Sequence, residues 1–382
     1  MDHYDVVIVG ARPAGAATGM LLARAGLRVL IVDRSRRGAD TLSTHALMRG
    51  GVLQLSRWGL LGAVTAAGTP PVRHATFHTE SGSTMVPIKS AHGVDALYAP
   101  RRTVLDPIIA DAAAGAGATL RYGVTAKALR RDDRGRVIGI VGHDRDGSPV
   151  TIGARHTIGA DGMGSRVAHW TGAATDRQGA TLGTTAYCYL DAESSGGYEW
   201  FFRNHAAAGA IPTNDGQTCV FVATPQPRFR RELIHDPVAG FRRLLTATAP
   251  ELADRLAGAP SGPPRRFPGR HGHLRRASGP GWALVGDAGY FKDPITAHGI
   301  TDALRDAELL ARAIITDTLP GYQATRDRLS LPLFTVTDAI AGYAWDEEEV
   351  TTLLKQLSAA MAEEIEAILA GSRCTDETHS RP

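Results

Sequence analysis

The chain opens on a short β-branched, apolar run, Val6-Val7-Ile8-Val9, that stops at Gly10. After a tight turn, Ala16 to Ala25 carries apolar residues at helical period, Gly26 supplies a helix stop, and Val29-Leu30-Ile31-Val32 makes a second apolar run ending in Asp33. Strands with no polar alternation are buried on both faces, so this unit reads as parallel βαβ. From Val72 to Ile88 the period changes to alternation broken at Ser81-Gly82-Ser83, which predicts a hairpin. Helical spacing returns from Arg101 to the stop at Gly115-Ala116-Gly117. Next come a strand near Thr119-Leu120-Arg121 ending by Val124, and an antiparallel basic pair between Lys127 and Ile152. A strand over Thr157-Ile158-Gly159 leads into Asp161-Gly162, with Ser165 placed to cap a helix. Between Gly172 and Phe267 the alternation is rich in aromatics and turns at Asn214-Asp215-Gly216, with one amphipathic helix near Val238 to Leu256. The apolar run Trp282 to Val285 delivers Gly286-Asp287 to a Pro/Gly loop and a helix from Asp302 to Ala313. From Pro320 onward the pattern is helical, and Thr375 to Pro382 reads as a loose tail.

These elements predict an α/β plus β fold: a Rossmann-like dinucleotide-binding domain interleaved with an antiparallel β-sheet domain, followed by C-terminal helices. The nucleotide domain is expected over 1–71, 99–172 and 269–320, the sheet domain over 72–98 and 173–268, and a helical segment over 321–382. A chain of 382 residues exceeds the usual single-core size, which agrees with more than one domain.

Charge and cysteines narrow the functional classes. A formal net charge of +3, with arginines scattered as in Arg265-Arg266 and Arg275-Arg276, does not point to nucleic acid. Cys188, Cys219 and Cys374 are too far apart for a metal or disulfide framework, so a reducing, cytoplasmic location is expected and no metal is implied. Asp2 and Asp5 precede the first apolar run, and Arg24 and Arg28 break the apolar character after it, so neither a signal peptide nor a membrane span is expected. His74 and His78 fall on one strand face without an acidic or thiol partner at ligand spacing and are expected to be solvated.

The chemistry suggested by the first unit is anion binding. The turn aims the N–H groups and positive end of a helix at one spot, where a pyrophosphate fits, and Asp33 has the spacing to take a ribose hydroxyl. Arg12 stands where a GxGxxG turn has its second glycine; it brings a permanent cation and five donors. Thr41 to Leu47 leaves the carboxyl end of a strand, so Ser43, Thr44 and His45 are either site residues or a helix-start cluster. Asp287 and a second helix N-terminus at Ile300 repeat the same logic at another place.

Three stretches taken together resemble the FAD-dependent monooxygenases of the para-hydroxybenzoate hydroxylase class, related also to geranylgeranyl reductases and flavin halogenases. They are Gly10 to Gly15 with Asp33; Asp161-Gly162 with Ser165 and Arg166; and Gly286-Asp287 with Pro294, Gly299, Asp306-Ala307 and Leu310. The resemblance implies FAD as cofactor and NAD(P)H as a transient co-substrate. Its contacts are expected from Gly10, Arg12, Pro13, Ala14, Gly15, Asp33, Arg34, Thr44, Arg102, Val124, Asp161, Gly286, Asp287, Pro294, Gly299 and Ile300. Asp33 would take the adenosine ribose, Val124 the adenine through its backbone, Asp287 the ribityl chain, and Gly299 and Ile300 the flavin's pyrimidine edge. Arg12, Ala297 and Thr301 depart from the family pattern, standing for two glycines and an asparagine.

By the same resemblance the reaction is hydroxylation of an aromatic or polyketide-like small molecule by molecular oxygen through a flavin C4a-hydroperoxide. His45 and Lys292, the latter in the loop beside Pro294, are the polar groups placed for substrate or peroxide contact and so the candidate catalytic residues, with a solvated loop lysine the favoured alternative for Lys292. Alternatives are an FAD-dependent reductase of isoprenoid double bonds and a non-catalytic FAD-binding protein. A halogenase is disfavoured because the stretch nearest to Trp-x-Trp-x-Ile-Pro is Glu199-Trp200-Phe201-Phe202.

Overall fold

A computed structural model describes residues 3–191, 195–203, 205–255 and 262–379. In chain order, β1 (His3–Val9), α1 (Pro13–Arg24) and β2 (Val29–Asp33) form the expected βαβ unit, followed by α2 (Arg49–Arg57), α3 (Leu61–Ala66) and the hairpin β3 (His74–His78) and β4 (Ser83–Pro87). Then come α4 (Arg102–Gly115), β5 (Thr119–Tyr122), β6 (Thr125–Arg131), β7 (Val137–His143), β8 (Pro149–Gly159), α5 (Arg166–Thr171) and β9 (Thr175–Gln178). A run of strands follows: β10 (Gly183–Leu190), β11 (Tyr198–Arg203), β12 (Ala206–Pro212) and β13 (Thr218–Pro225). Three helices, α6 (Gln226–Leu233), α7 (Pro237–Thr248) and α8 (Pro250–Arg255), precede the short strands β14 (Arg265–Phe267), β15 (His273–Arg275), β16 (Ser278–Gly279), β17 (Trp282–Leu284) and β18 (Tyr290–Phe291). The chain ends in α9 (Gly299–Ile315), α10 (Leu319–Ile340) and α11 (Glu347–His379).

The first sheet runs β16-β17-β8-β1-β2-β5, with β6 and β7 added as a meander beside β8. Strands β17, β8, β1, β2 and β5 are mutually parallel, in a register that sets Ile8 against both Ile31 and Ile158. Their side chains are fully buried at Val6, Val7, Ile8, Leu30 and Val32, because α1 covers one face and the β6–β7 meander the other. Each such side chain contributes roughly 1.5–3 kcal/mol. Helix α1 is buried on nearly all sides, Ala16, Ala17, Met20 and Leu22 included, since α4 and α9 flank it as well as the sheet. The alanines and glycines of α1 permit that three-sided approach.

The second sheet runs β14-β10-β13-β12-β11-β3-β4 and is antiparallel except for the β11–β3 pair. One of its faces packs on α6 to α8 through Phe201, Val220, Val222, Phe229 and Leu244; the other joins the main core through Tyr187, Trp200 and Phe221. A third, three-stranded sheet, β18-β15-β9, links the two.

Four expectations need correction. The single helix near Val238 to Leu256 is instead α7 and α8, because Pro250 lacks an N–H and drives Ala249 out of helical geometry (φ −143, ψ 67); Leu256 lies outside the described residues. The basic pair through Lys127 to Ile152 is three strands, and β8 serves both as meander strand and as parallel neighbour of β1. The tail from Thr375 continues as helix α11 to His379, with 380–382 outside the described residues. His78 is not a solvated strand residue: it stacks on Phe201 with ring centroids 4.1 Å apart and faces Glu199 at 3.7 Å.

Candidate functional site

Every parallel strand of the first sheet ends at the same edge, and there Gly10, Asp33, Val124, Asp161 and Asp287 meet. In an open α/β sheet that edge is where ligands sit. A cavity of about 560 Å³ runs along it. Gly10, Arg12, Pro13, Ala14, Asp33, Arg34, Val124 and Asp161 line it at the α1 side, and Asp287, Lys292, Pro294, Gly299 and Ile300 at the α9 side. Thr44, His45 and Arg102 also face it.

The α1 turn is held open by glycine. Gly10 has φ +115, and a Cβ there would stand 2.3 Å from the Ala160 carbonyl oxygen; a Cβ on Gly15 would stand 1.9 Å from the Gly10 oxygen. Strand, turn and helix therefore touch backbone to backbone. Gly286 does the same for the second crossing, where a Cβ would lie 2.8 Å from that of Ala14. Arg12 is the N-cap in extended geometry, Pro13 occupies the first helical position, and no side chain caps the helix. Helix α9 is likewise uncapped by side chain at His298. Two helix N-termini with exposed positive ends thus open on one cavity.

Asp33 has a structural duty here: its Oδ2 accepts the Ala11 N–H at 2.8 Å and its Oδ1 the Ser35 N–H at 2.7 Å. Each oxygen keeps a second lone pair toward the cavity. The Val124 N–H donates to the Asp33 carbonyl at 3.0 Å, which binds the β5 exit to β2. Arg102 forms a bidentate pair with Asp106 (2.7 and 2.9 Å), and the Arg12 guanidinium comes within 3.5 Å of that carboxylate. Burial, then Arg102, lower the Arg12 pKa, and its Nη1 has no hydrogen-bond acceptor among the described residues. A half-buried guanidinium with an unused donor, beside a second arginine, fits a phosphate group. Asp161 is engaged otherwise: it accepts from Ser165 Oγ, Arg166 N (2.7 Å) and Val167 N (3.2 Å), and Ser165 caps α5 through the Ala168 N–H at 2.9 Å.

Asp287 is the opposite case. No donor among the described residues reaches its carboxylate, and burial raises its pKa to about 6, against the pull of Arg102 and Lys292. A carboxylate so placed suits a polyol. Beyond it Ala297 has the left-handed φ of +50 that favours the glycine it replaces, and Thr301 faces away from the cavity, its Oγ1 accepting the Met48 N–H at 3.2 Å.

His45 is buried between the Ala99 carbonyl and the Tyr189 hydroxyl, 3.1 Å from each, and burial lowers its pKa to about 3. It is a neutral imidazole near pH 7. Lys292 is not the solvated loop lysine expected: it is buried and donates to Asp302. Thr185, Tyr187, Phe267, Tyr290 and Phe291 complete a mostly aromatic wall. Sequence periodicity marks the β10 aromatics. The four-residue spacing of Arg102 and Asp106 on a predicted helix marks that pair in the chain, but nothing marks the approach of Arg12 to Asp106 or the acidic partner of His298 on α11.

Residues 3–326 match the family model described as FAD binding domain. The chain belongs to the FAD-binding domain family. It is an FAD-dependent oxidoreductase, and NAD(P)H is the co-substrate typical of that class. Among curated relatives, a digeranylgeranylglycerophospholipid reductase of Methanocella arvoryzae is 25% identical over 335 residues, covering 82% of this chain and 78% of its own. A menaquinone reductase of Mycolicibacterium smegmatis is 26% identical over 351 residues, covering 84% and 78%. Among solved structures, the flavin-dependent brominase Bmp2 superposes with a TM-score of 0.81 at 18% identity, over 97% of this chain and 94% of its own. Pseudomonas aeruginosa PqsL in complex with 2-aminobenzoylacetate does so with 0.76 at 22% identity, over 94% and 100%. These superpositions establish the fold of the family member, with its mixed α/β core and antiparallel sheet. Among the described residues no helix is long and apolar enough to cross a membrane.

Proposed function

We propose that this FAD enzyme is an NAD(P)H-dependent monooxygenase that hydroxylates an aromatic or polyketide-like small molecule. What supports the reading above all is the wall of the cavity, where Tyr187, Phe267 and Phe291 border a space that also meets Lys292. Rings of that kind hold a flat organic substrate by stacking and exclude water. In this reading Asp33 takes the adenosine ribose, Arg12, Arg102 and the α1 N-terminus the pyrophosphate, Asp287 the ribityl hydroxyls, and Gly299 and Ile300 the ring. Val124 and Arg34 border the adenine, Thr44 borders the chain between the two ends, and Asp161 acts through the α5 start that it organises. Bound FAD supplies electron transfer from NAD(P)H and reaction with oxygen. The protein's share is to stabilise negative charge at the uncapped α9 N-terminus, to keep water out, and to set protons at Lys292. His45 positions Tyr189 and the Ala99 backbone beside the site. The nucleotide parts, 1–71, 99–172 and 269–320, and the sheet parts, 72–98 and 173–268, are read as two interleaved domains.

A second reading, reduction of an isoprenoid double bond, is supported by the names and long coverage of the sequence relatives. Oxygen uptake separates the two. Purified holoenzyme given NAD(P)H and a panel of phenols and polyketides should consume one O₂ per hydroxylated product. Saturation of a geranylgeranyl or menaquinone side chain under anaerobic conditions, with no oxygen uptake on any aromatic, would replace the first reading by the second.

A further inference from the structure

Behind Lys292 lies a buried cluster of charges built from three helices and a loop. Lys292 donates to Asp302 Oδ2; Asp302 Oδ1 is 3.2 Å from His298 Nδ1 and 3.2 Å from Arg305 Nη1. His298 Nε2 is 3.1 Å from Glu364 Oε2, and Arg305 Nη1 donates to Glu364 Oε1 at 2.8 Å. Arg305 also donates to Asp306 (3.0 and 2.7 Å) and, through Nη2, to Ser330 of α10 at 2.8 Å. Lys292, His298, Asp302, Arg305, Asp306 and Glu364 are each at most 6% exposed. His298, Asp302 and Glu364 bring donor atoms within 4.8 Å of one another, but Lys292 and Arg305 already stand against those carboxylates and repel a metal cation.

Three carboxylates face Lys292, Arg305 and the titratable His298. Only Lys292 and Asp302 of this group line the cavity. Glu364 reaches the cluster from α11, far along the chain from α9, so the C-terminal helix is wired to the cavity by charge as well as by packing.

We propose that Lys292 is the proton donor of the cavity and that the Asp302–His298–Glu364 network, completed by α11, sets its acidity. The need for such a donor does not depend on which reaction the enzyme performs. Hydroxylation with NAD(P)H, saturation of a double bond with NAD(P)H, and uncoupled reduction of O₂ to H₂O₂ each take up one proton per NAD(P)H oxidised. The Lys292 ammonium gives one proton to the oxygen or carbon that receives it, the N–H electron pair stays on nitrogen, and the neutral amine regains a proton from water entering the cavity after product leaves. His298, Asp302 and Glu364 are positioning residues in this scheme.

Burial, then Arg305, lower the Lys292 pKa to about 7, while Glu364, Asp287 and Asp306 hold it up. Although burial pushes Glu364 upward, His298 and then Arg305 draw its pKa below the usual carboxylate range. Burial lowers the His298 pKa against the pull of Glu364. The groups that face Lys292 are therefore Asp302, Arg305 and Asp306 of α9, His298 at its N-cap, Glu364 of α11, Asp287, and the Tyr290 ring 5.1 Å away. Removing the Glu364 charge removes an anion, so Lys292 should lose its proton at a lower pH.

The test uses oxidised holoenzyme and needs no substrate. The flavin absorbance of wild-type protein, titrated from pH 5.5 to 9, should shift with a Lys292 component of midpoint near 7 as the ammonium charge in the cavity is lost, alongside Asp287 and Asp293, which also line the cavity and which burial raises to about 6 and about 7. Lys292→Met should abolish that midpoint, Lys292→Arg should abolish it while keeping the low-pH spectrum, and Glu364→Gln should move it down by about one pH unit. The NAD(P)H oxidation rate should fall above the same midpoint in wild type, and be about a hundredfold lower in Lys292→Arg, with no break. A midpoint unchanged in Lys292→Met, or one unmoved in a yellow, folded Glu364→Gln protein, overturns the proposal. Should Glu364→Gln fail to retain FAD, His298→Gln replaces it: loss of the bridge should still displace the midpoint, and an unmoved midpoint counts against the network. Because the readout is a spectrum without substrate, its failure leaves the monooxygenase reading standing, and the reverse holds too.

Discussion

At the scale of the residue, the site works by leaving selected groups unsatisfied. Asp287 has a folded-state pKa of about 6, above its ordinary 3.8, so the FAD-free protein binds an extra proton relative to the unfolded chain between those values. Stability from this group is therefore complete below about 3.8 and is lost as pH rises through about 6. Asp287→Asn should flatten that part of the pH–Tm curve of the apoprotein. In the same variant FAD should bind at least about tenfold more weakly, because charge-assisted hydrogen bonds to a carboxylate are worth ~1.5–3 kcal/mol; tryptophan or flavin fluorescence titration reads the affinity. Ala297 carries strain of another kind. Its left-handed φ of +50 disfavours a Cβ, so Ala297→Gly should raise Tm slightly, by the equivalent of about 0.5–1 kcal/mol after the entropy of glycine is subtracted. A fall in Tm on thermal unfolding would show that the alanine methyl, 8% exposed, contributes more by packing than it strains.

At the scale of the element, the decisive feature is how closely β1, α1, β8 and α9 cross. The Gly15 position leaves 1.9 Å between a hypothetical Cβ and the Gly10 oxygen, a distance no rotamer can relieve. Gly15→Ala should therefore displace the start of α1 from β1, and the protein should purify colourless even if far-UV circular dichroism shows its helices intact. Helix α9 is tied to α2 by the Thr301 hydroxyl, which accepts the Met48 N–H at 3.2 Å. Thr301→Val keeps the shape and removes the acceptor, and should cost about 1–3 kcal/mol in urea unfolding. The same substitution should leave the cavity's ligand contacts in place, since Thr301 turns away from it. Asparagine, which stands at this position in the family pattern, is thus replaced by a residue with a structural task.

At the scale of the molecule, two uncapped helix starts and one continuous cavity imply a single elongated ligand with two separately addressable ends. ADP should occupy only the α1 end and FAD both. FAD at a hundred times its Kd should stabilise the protein by about 2.7 kcal/mol, and ADP by less at the same concentration. Asp33→Ala should abolish the ADP shift in a thermal melt, whereas Asp287→Asn should leave it unchanged while reducing that of FAD. Equal losses for both ligands in both variants would mean that the two ends are not independent parts of one site. The C-terminal helices belong to this scale too, because α11 places Glu364 against His298 at 3.1 Å, and the acidity of a cavity lysine depends on a helix that never enters the cavity.

The βαβ unit, the three motif-bearing strand ends and the aromatic alternation of the second sheet are legible in the chain alone, because each depends on neighbours within a few residues: a β-branched run, a glycine where no Cβ fits, an acid at a strand terminus. The break between α7 and α8 is local as well, since the pair Ala249-Pro250 contains its cause even though apolar periodicity runs straight through it. What only the tertiary structure decided is how distant polar groups pair. Asp33 turned inward to Ala11 and Ser35, Arg12 met Asp106 of α4, His45 was locked between Ala99 and Tyr189, and Lys292 joined Asp302, His298, Arg305 and Glu364. Burial favours those pairings, since a polar group or ion withdrawn from water is stabilised by a hydrogen-bond partner or a counter-charge, and the partner came from whichever element the fold brought within reach.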